Sequence, residues 1–106
     1  MELETAVVFS LCQPRLACEF AKVHEAIEFI SGQSVWTHSL PRMLTALRPH
    51  LEQQFPWAFS DDAVVANQSI ADAADSGDRD KVMLAIDSQM IRLSSKYGAV
   101  HTARVI

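Results

Sequence analysis

The residues best equipped for chemistry crowd into one stretch, Gly32 to Pro56, where Trp36, Thr37, His38, Arg42, Arg48 and His50 surround a single expected helix start. An indole, two imidazoles and two guanidiniums supply stacking faces and anion-pairing forks. The chemistry they suit is binding. Trp36, His38, Arg42, Arg48 and Trp57 are the candidate binding residues, and the free N–H groups of a helix start would add anion affinity beside Trp36 and His38. A structural alternative stands next to this reading: Trp36 plugs the core beneath a connector while Thr37 or His38 caps the helix. The structural role is expected to dominate for Trp36, and exposure for Arg42. Arg42 and Arg48 are six residues apart and share no face, so a joint anion clamp would depend on a bend at Pro49. Trp57 and Phe59, between Pro56 and Ser60, read equally well as an exposed anchor or as a lid over the core.

The remaining reactive side chains form no recognisable catalytic pattern. His24, His38, His50 and His101 stand apart from one another and from Cys12 and Cys18, without Cys-x-x-Cys or other paired ligand spacing, so no metal is expected. There is no Gly-x-Ser-x-Gly elbow, and the three glycines are too scattered for a phosphate loop. No catalytic residue and no cofactor are assigned, and the chain is read as a non-enzyme. His24, one turn from Phe20 and Ile27, is expected to be a structural histidine with its ring satisfied. Cys12 and Cys18 are expected to be reduced, partly buried thiols.

The elements that must position these residues follow from hydrophobic periodicity. Leu3 to Leu11 is a short apolar run whose β-branched and aromatic content predicts a strand, ended near Pro14. From Glu19 to Ser31, Phe20, Val23, Ile27 and Ile30 mark one face of an amphipathic helix that Gly32 closes. Ser39 as N-cap and Pro41 in the first turn open a second helix with Leu40, Leu44, Leu47 and Leu51 inward. Pro49 should kink or break it near Arg48, and Pro56 should end the segment. Ser60-Asp61-Asp62 opens an alanine-rich helix to about Ala74, and Asp75 to Asp78 is a turn. A last helix carries Val82, Ile86, Met90, Leu93 and Tyr97 on one stripe and stops at Gly98. The tail from Ala99 to Ile106 alternates and is placed to pair with the N-terminal run. The predicted fold is therefore mainly α, with three to four helices and a minor two-stranded element from the termini. Leu44, Leu47, Ile27 and Ile86 are expected in one shared core.

Composition narrows the class further. With 106 residues, 49% hydrophobic and 21% charged, residues 1–106 are read as one folded domain. A surplus of apolar residues at this size predicts a homodimer. A net charge of −4 with dispersed basic residues argues against nucleic acid as a partner. The start Met-Glu-Leu-Glu does not resemble a secretory leader, and no apolar run is long enough to span a bilayer, so a cytoplasmic protein without membrane contact is expected.

Val35-Trp36-Thr37-His38 followed by Leu40-Pro41-Arg42, then Arg48-Pro49, Pro56, Gln89 and Lys96-Tyr97-Gly98, resemble an uncharacterised family of small bacteriophage- and prophage-encoded proteins. Leu16-Ala17-Cys18 and Val23-His24-Glu25 fit the same pattern. The resemblance implies an accessory protein of a phage or prophage and carries over no catalytic residue. The resulting expectation is a non-enzymatic factor that binds a host or phage protein, inhibition of a host defence component being one such role. The alternative is a module that binds a nucleotide or other anionic ligand through the segment from Trp36 to Arg42.

Overall fold

A computed structural model describes residues 1–106. Its five helices and two short strands run in the order β1 (Glu2–Glu4), α1 (Thr5–Cys12), α2 (Phe20–Ser31), α3 (Leu40–Gln54), α4 (Asp61–Asp75), α5 (Arg79–Tyr97) and β2 (Val100–Thr102). The strands pair antiparallel with Leu3 opposite His101, so the tail joins the N-terminal run as expected. Thr5 N–H donates to the Ala99 carbonyl at 3.1 Å and Ala103 N–H to that of Met1 at 2.8 Å, extending the ladder at both ends.

The strand expected over Leu3 to Leu11 is corrected to three residues followed by a helix. Val7, Val8, Phe9 and Leu11 are all buried, because α1 runs between α2 and α3 on one side and α5 on another. A helix buried on several faces has no amphipathic stripe, and its tertiary surroundings override the β-propensity of its residues. Ser10, also buried, donates to the Ala6 carbonyl at 2.7 Å and accepts from Ala17 N–H at 2.8 Å, so the helix buries no orphan hydroxyl.

The other helices follow the periodicity closely. Val23, Ile27 and Ile30 of α2 are buried, whereas Phe20, expected on the same face, is left 45% exposed because the first turn of the helix overhangs an open groove. Gly32 ends the helix in the left-handed region at φ 73°, its N–H bonded to Glu28 and Phe29 carbonyls. A 3-10 turn, Thr37–Ser39, leads directly into α3. Ser39 consequently has helical angles and its hydroxyl caps nothing, and neither Thr37 nor His38 caps the helix either. Pro49 does not break α3, which runs on to Gln54. Pro49 and Thr45 both lie on the exposed side, where the carbonyl that loses its N–H partner meets water, while Leu40, Leu47 and Leu51 hold the opposite side in the core. Phe55 then leaves helical geometry and Pro56–Phe59 form a second 3-10 turn. Ser60 does not cap α4 through its side chain, since its hydroxyl turns back to the Trp57 carbonyl. Asp78 does cap α5, accepting from Asp80 N–H at 2.9 Å.

Two hydrophobic clusters result instead of one shared core. The larger contains fifteen buried residues from β1, α1, α2, α3, the Pro56–Phe59 turn and the tail, including Ile27, Leu47, Leu51 and Phe55. The smaller contains Phe9, Ala63, Ala66, Ile70 and Leu93, between α1 and the α4–α5 hairpin. Ile27 and Leu47 sit in the first cluster and Leu44 packs at its edge half-buried, but Ile86 belongs with the second. Ile86 is separated because α5 turns its stripe toward Phe9 of α1 and the inner side of α4, not toward α2 and α3. No helix is long and apolar enough to cross a membrane.

Candidate functional site

The segment after α2 is held by both sides of one peptide residue. Val35 N–H donates to Glu28 Oε2 at 2.8 Å, and the Val35 carbonyl accepts from His24 Nε2 at 2.7 Å. His24 and Glu28 are one turn apart on α2, so they project side by side and grip the backbone like a neighbouring strand. The second hydrogen bond fixes the proton of neutral His24 on Nε2. Val35 itself is buried, and this anchorage explains why a connector without regular structure keeps one course.

The next residue points the other way. Trp36 is 77% exposed, the most exposed large apolar side chain of the molecule, which corrects the expected core plug. A core role fails because Val35 already occupies the inward position, and the extended backbone at Trp36 sends the following side chain outward. Its indole stacks on the His38 ring with centroids 6.3 Å apart and planes 21° from parallel. Arg42, exposed one turn into α3, has no hydrogen-bond or ion-pair partner within the chain. Trp36 and His38 thus form an exposed stacked pair just ahead of α3, with Arg42 exposed in the first turn of that helix, and these three residues are the candidate platform.

The other two candidates lie elsewhere. Arg48 donates from Nε to Glu52 at 3.0 Å and lies 5.1 Å above the Phe59 ring. It borders an apolar groove of about 450 Å³ between the end of α1, α2 and α3, lined among others by Leu11, Cys12, Phe20, Ile27 and Leu44. Trp57 is a lid and not an anchor: its ring is half-buried, stacked on Tyr97 at 5.4 Å and against His101 at 4.9 Å. Its Nε1 is buried without a hydrogen-bond partner. Phe59 likewise packs against the larger cluster. Phe20, half-exposed at the groove rim, lies 6.4 Å from the His24 ring.

Cys12 and Cys18 are free thiols, both partly buried. Burial pushes the Cys12 thiol up to about 12, against a smaller opposing effect of Arg48, and burial also raises Cys18. Both therefore stay protonated near neutral pH and are poor nucleophiles. No three side chains among His, Cys, Asp and Glu converge as metal ligands. The strongest charge cluster is one that sequence reasoning missed. Asp62 accepts from Lys96, from Tyr97 Oη at 2.6 Å and from Arg92 at 3.3 Å. The hydrogen bonds from Lys96 and Tyr97 hold its carboxyl down at about 2, and the same contact raises Lys96. This cluster ties α4 to α5. From the sequence Asp62 reads only as a favourable charge at a helix start, since partners thirty or more positions away leave no local signal. The His24–Glu28 pair, by contrast, is visible as an i, i+4 spacing, although what it grips is not.

The family model of a domain of unknown function, DUF7736, matches residues 3–60. The chain belongs to this family. The DUF7736 segment contains the clamp, the Trp36 platform and every residue lining the groove, and it stops where α4 begins. No curated protein and no solved structure matches the chain.

Proposed function

We propose that this DUF7736 protein is a non-enzymatic binding protein whose platform of Trp36, His38 and Arg42 docks on another protein. The observation that carries the reading is Trp36, 77% exposed while its neighbour Val35 is gripped by His24 and Glu28. An indole left in water forgoes roughly 1.5–3 kcal/mol of burial that a core position would recover. A partner pocket can supply that burial, and tryptophan and arginine are the side chains most enriched among energetic anchors. The clamp adds rigidity, which lowers the ordering cost on association. The partner that fits presents an apolar slot for the indole with acidic groups near Arg42.

The motif from Val35 to Arg42 and its resemblance to bacteriophage and prophage proteins support a phage accessory role in the host cytoplasm. A host protein, a defence component among them, is the target class this role implies. Capture from host lysate on immobilised protein tests the reading. The wild type should retain a partner that Trp36→Ala loses, with an unchanged melting temperature; retention by Trp36→Ala at wild-type level would refute it. A second reading, an anionic nucleotide stacked on Trp36 with phosphates at Arg42, is favoured by the near-parallel Trp36–His38 pair and the unpaired guanidinium. Titration with ATP separates the two: quenching of Trp36 fluorescence that disappears in Arg42→Ala would favour the nucleotide.

A further inference from the structure

The groove between α1, α2 and α3 and the outer face of α5 are two unsatisfied surfaces of opposite character. Arg48 is the only charged residue lining the groove, and its one hydrogen bond, through Nε to Glu52, leaves both Nη groups without an acceptor. Leu16 and Phe20, 44% and 45% exposed, extend the apolar lining outward along the rim, as a groove open to a polypeptide would have it. On α5, Leu84 and Ile91 are 66% and 67% exposed and stand seven residues apart on one helix face. Asp87 lies between them on that face, exposed and without any hydrogen-bond or ion-pair partner. An apolar groove whose one guanidinium, bound to Glu52 through Nε alone, keeps both Nη groups without an acceptor therefore has its complement in an apolar stripe with one unpartnered carboxylate on the same chain.

We propose that the groove of one copy receives the outer face of α5 from a second copy, with Asp87 of one molecule meeting Arg48 of the other. Leu84 and Ile91 fill the groove on either side of that ion pair. A symmetric antiparallel α5-to-α5 contact centred between Leu84 and Ile91 would instead bring Asp87 against its own counterpart, and juxtaposed like charges oppose association. The contact is heterologous, so each copy has one donor face and one acceptor groove, and assembly either closes into a ring or continues as a chain. This surface is separate from the Trp36 platform, and its failure and the failure of the proposed function are read independently.

Analytical ultracentrifugation of the full chain across rising concentration tests the proposal. The weight-average mass of the wild type should climb above the monomer value of 11.8 kDa. Arg48→Glu and Asp87→Lys should each weaken self-association by about tenfold or more, the scale of one lost charge pair. An equimolar mixture of the two variants should regain a complex, because the reversed groove of one then meets the reversed helix face of the other. Arg48→Gln replaces Arg48→Glu if repulsion from Glu52 lowers the melting temperature, and Trp36→Ala should associate as the wild type does. A wild type that stays monomeric throughout, variants that associate at wild-type strength, or a mixture that remains monomeric would each overturn the proposal.

Discussion

The DUF7736 segment and the α4–α5 hairpin are built on different physical terms. The first closes, with the C-terminal tail, around fifteen buried side chains, most of them branched aliphatics, with Phe55 among the fully buried. The second closes around five, of which the hairpin itself contributes only Ile70 and Leu93 as large residues; Ala63 and Ala66 allow close approach, and Phe9 comes from α1. A large side chain contributes roughly 1.5–3 kcal/mol on burial, whereas an alanine contributes far less. The hairpin therefore relies on one borrowed phenylalanine, the Trp57–Tyr97 stack and the Asp62 cluster. The contrast predicts that the larger cluster holds its segment closed more firmly and that the hairpin opens first.

The sharpest way to break this comparison is Phe9→Ala. A buried phenylalanine lost to a cavity costs about 3–5 kcal/mol, and hydrogen exchange should show the loss concentrated in residues 61–97. Uniform loss across both regions would mean that the clusters are one cooperative unit. Leu47→Ala, in the larger cluster, should cost about 2–5 kcal/mol by chemical denaturation and deprotect α2 and α3 together. A near-neutral result would reject the packing described for that region. Ala66→Leu is the next smaller effect: overfilling the α4–α5 contact should destabilise by about 1–3 kcal/mol and loosen the hairpin alone.

Acid should separate the two regions without any substitution. Asp62 titrates near 2 in the folded protein, below its ordinary 3.8, so its contribution is fully present above about pH 4 and fades as pH falls through 2. Exchange protection in α4 and α5 should decline over that window before protection in α2 does, and Asp62→Asn should remove the pH dependence while lowering the melting temperature at neutral pH. A wild type whose hairpin and α2 lose protection in parallel would remove Asp62 from its stapling role. The smallest expected effect is that of Trp36→Ala, a change within about 0.5 kcal/mol by thermal melting, because the indole touches little beyond His38. A larger drop would return Trp36 to the core role first expected of it.

How much of this was legible in advance depended on how far apart the interacting residues are. The stripe of α2, its stop at Gly32 and the stripe of α5 with its stop at Gly98 are each written within a dozen or so residues, and each stands in the fold. The pairing of the termini was legible from the alternation of the tail and the β-branched, aromatic content of the N-terminal run. The platform was legible as a group of residue types, but the sides of the chain on which they lie were not. Val35 and Trp36 are adjacent, and only the grip of His24 and Glu28 decides which of them faces inward.

By itself the sequence determined that the fold is mainly helical, that α2 stops at Gly32 and α5 at Gly98, and that no recognisable catalytic motif is present, because periodicity, glycine stops and motif spacing are local properties. Tertiary structure alone decided that Thr5 to Cys12 is a helix, since an apolar run too short for periodicity takes the form its neighbours surround. Tertiary structure likewise decided that α3 passes through Pro49, with the freed carbonyl on its wet side, and that Ile86 joins Phe9 and not Leu47. Each of these outcomes depends on which surfaces meet across long stretches of chain, and contact of that kind leaves no trace in the spacing of neighbouring residues.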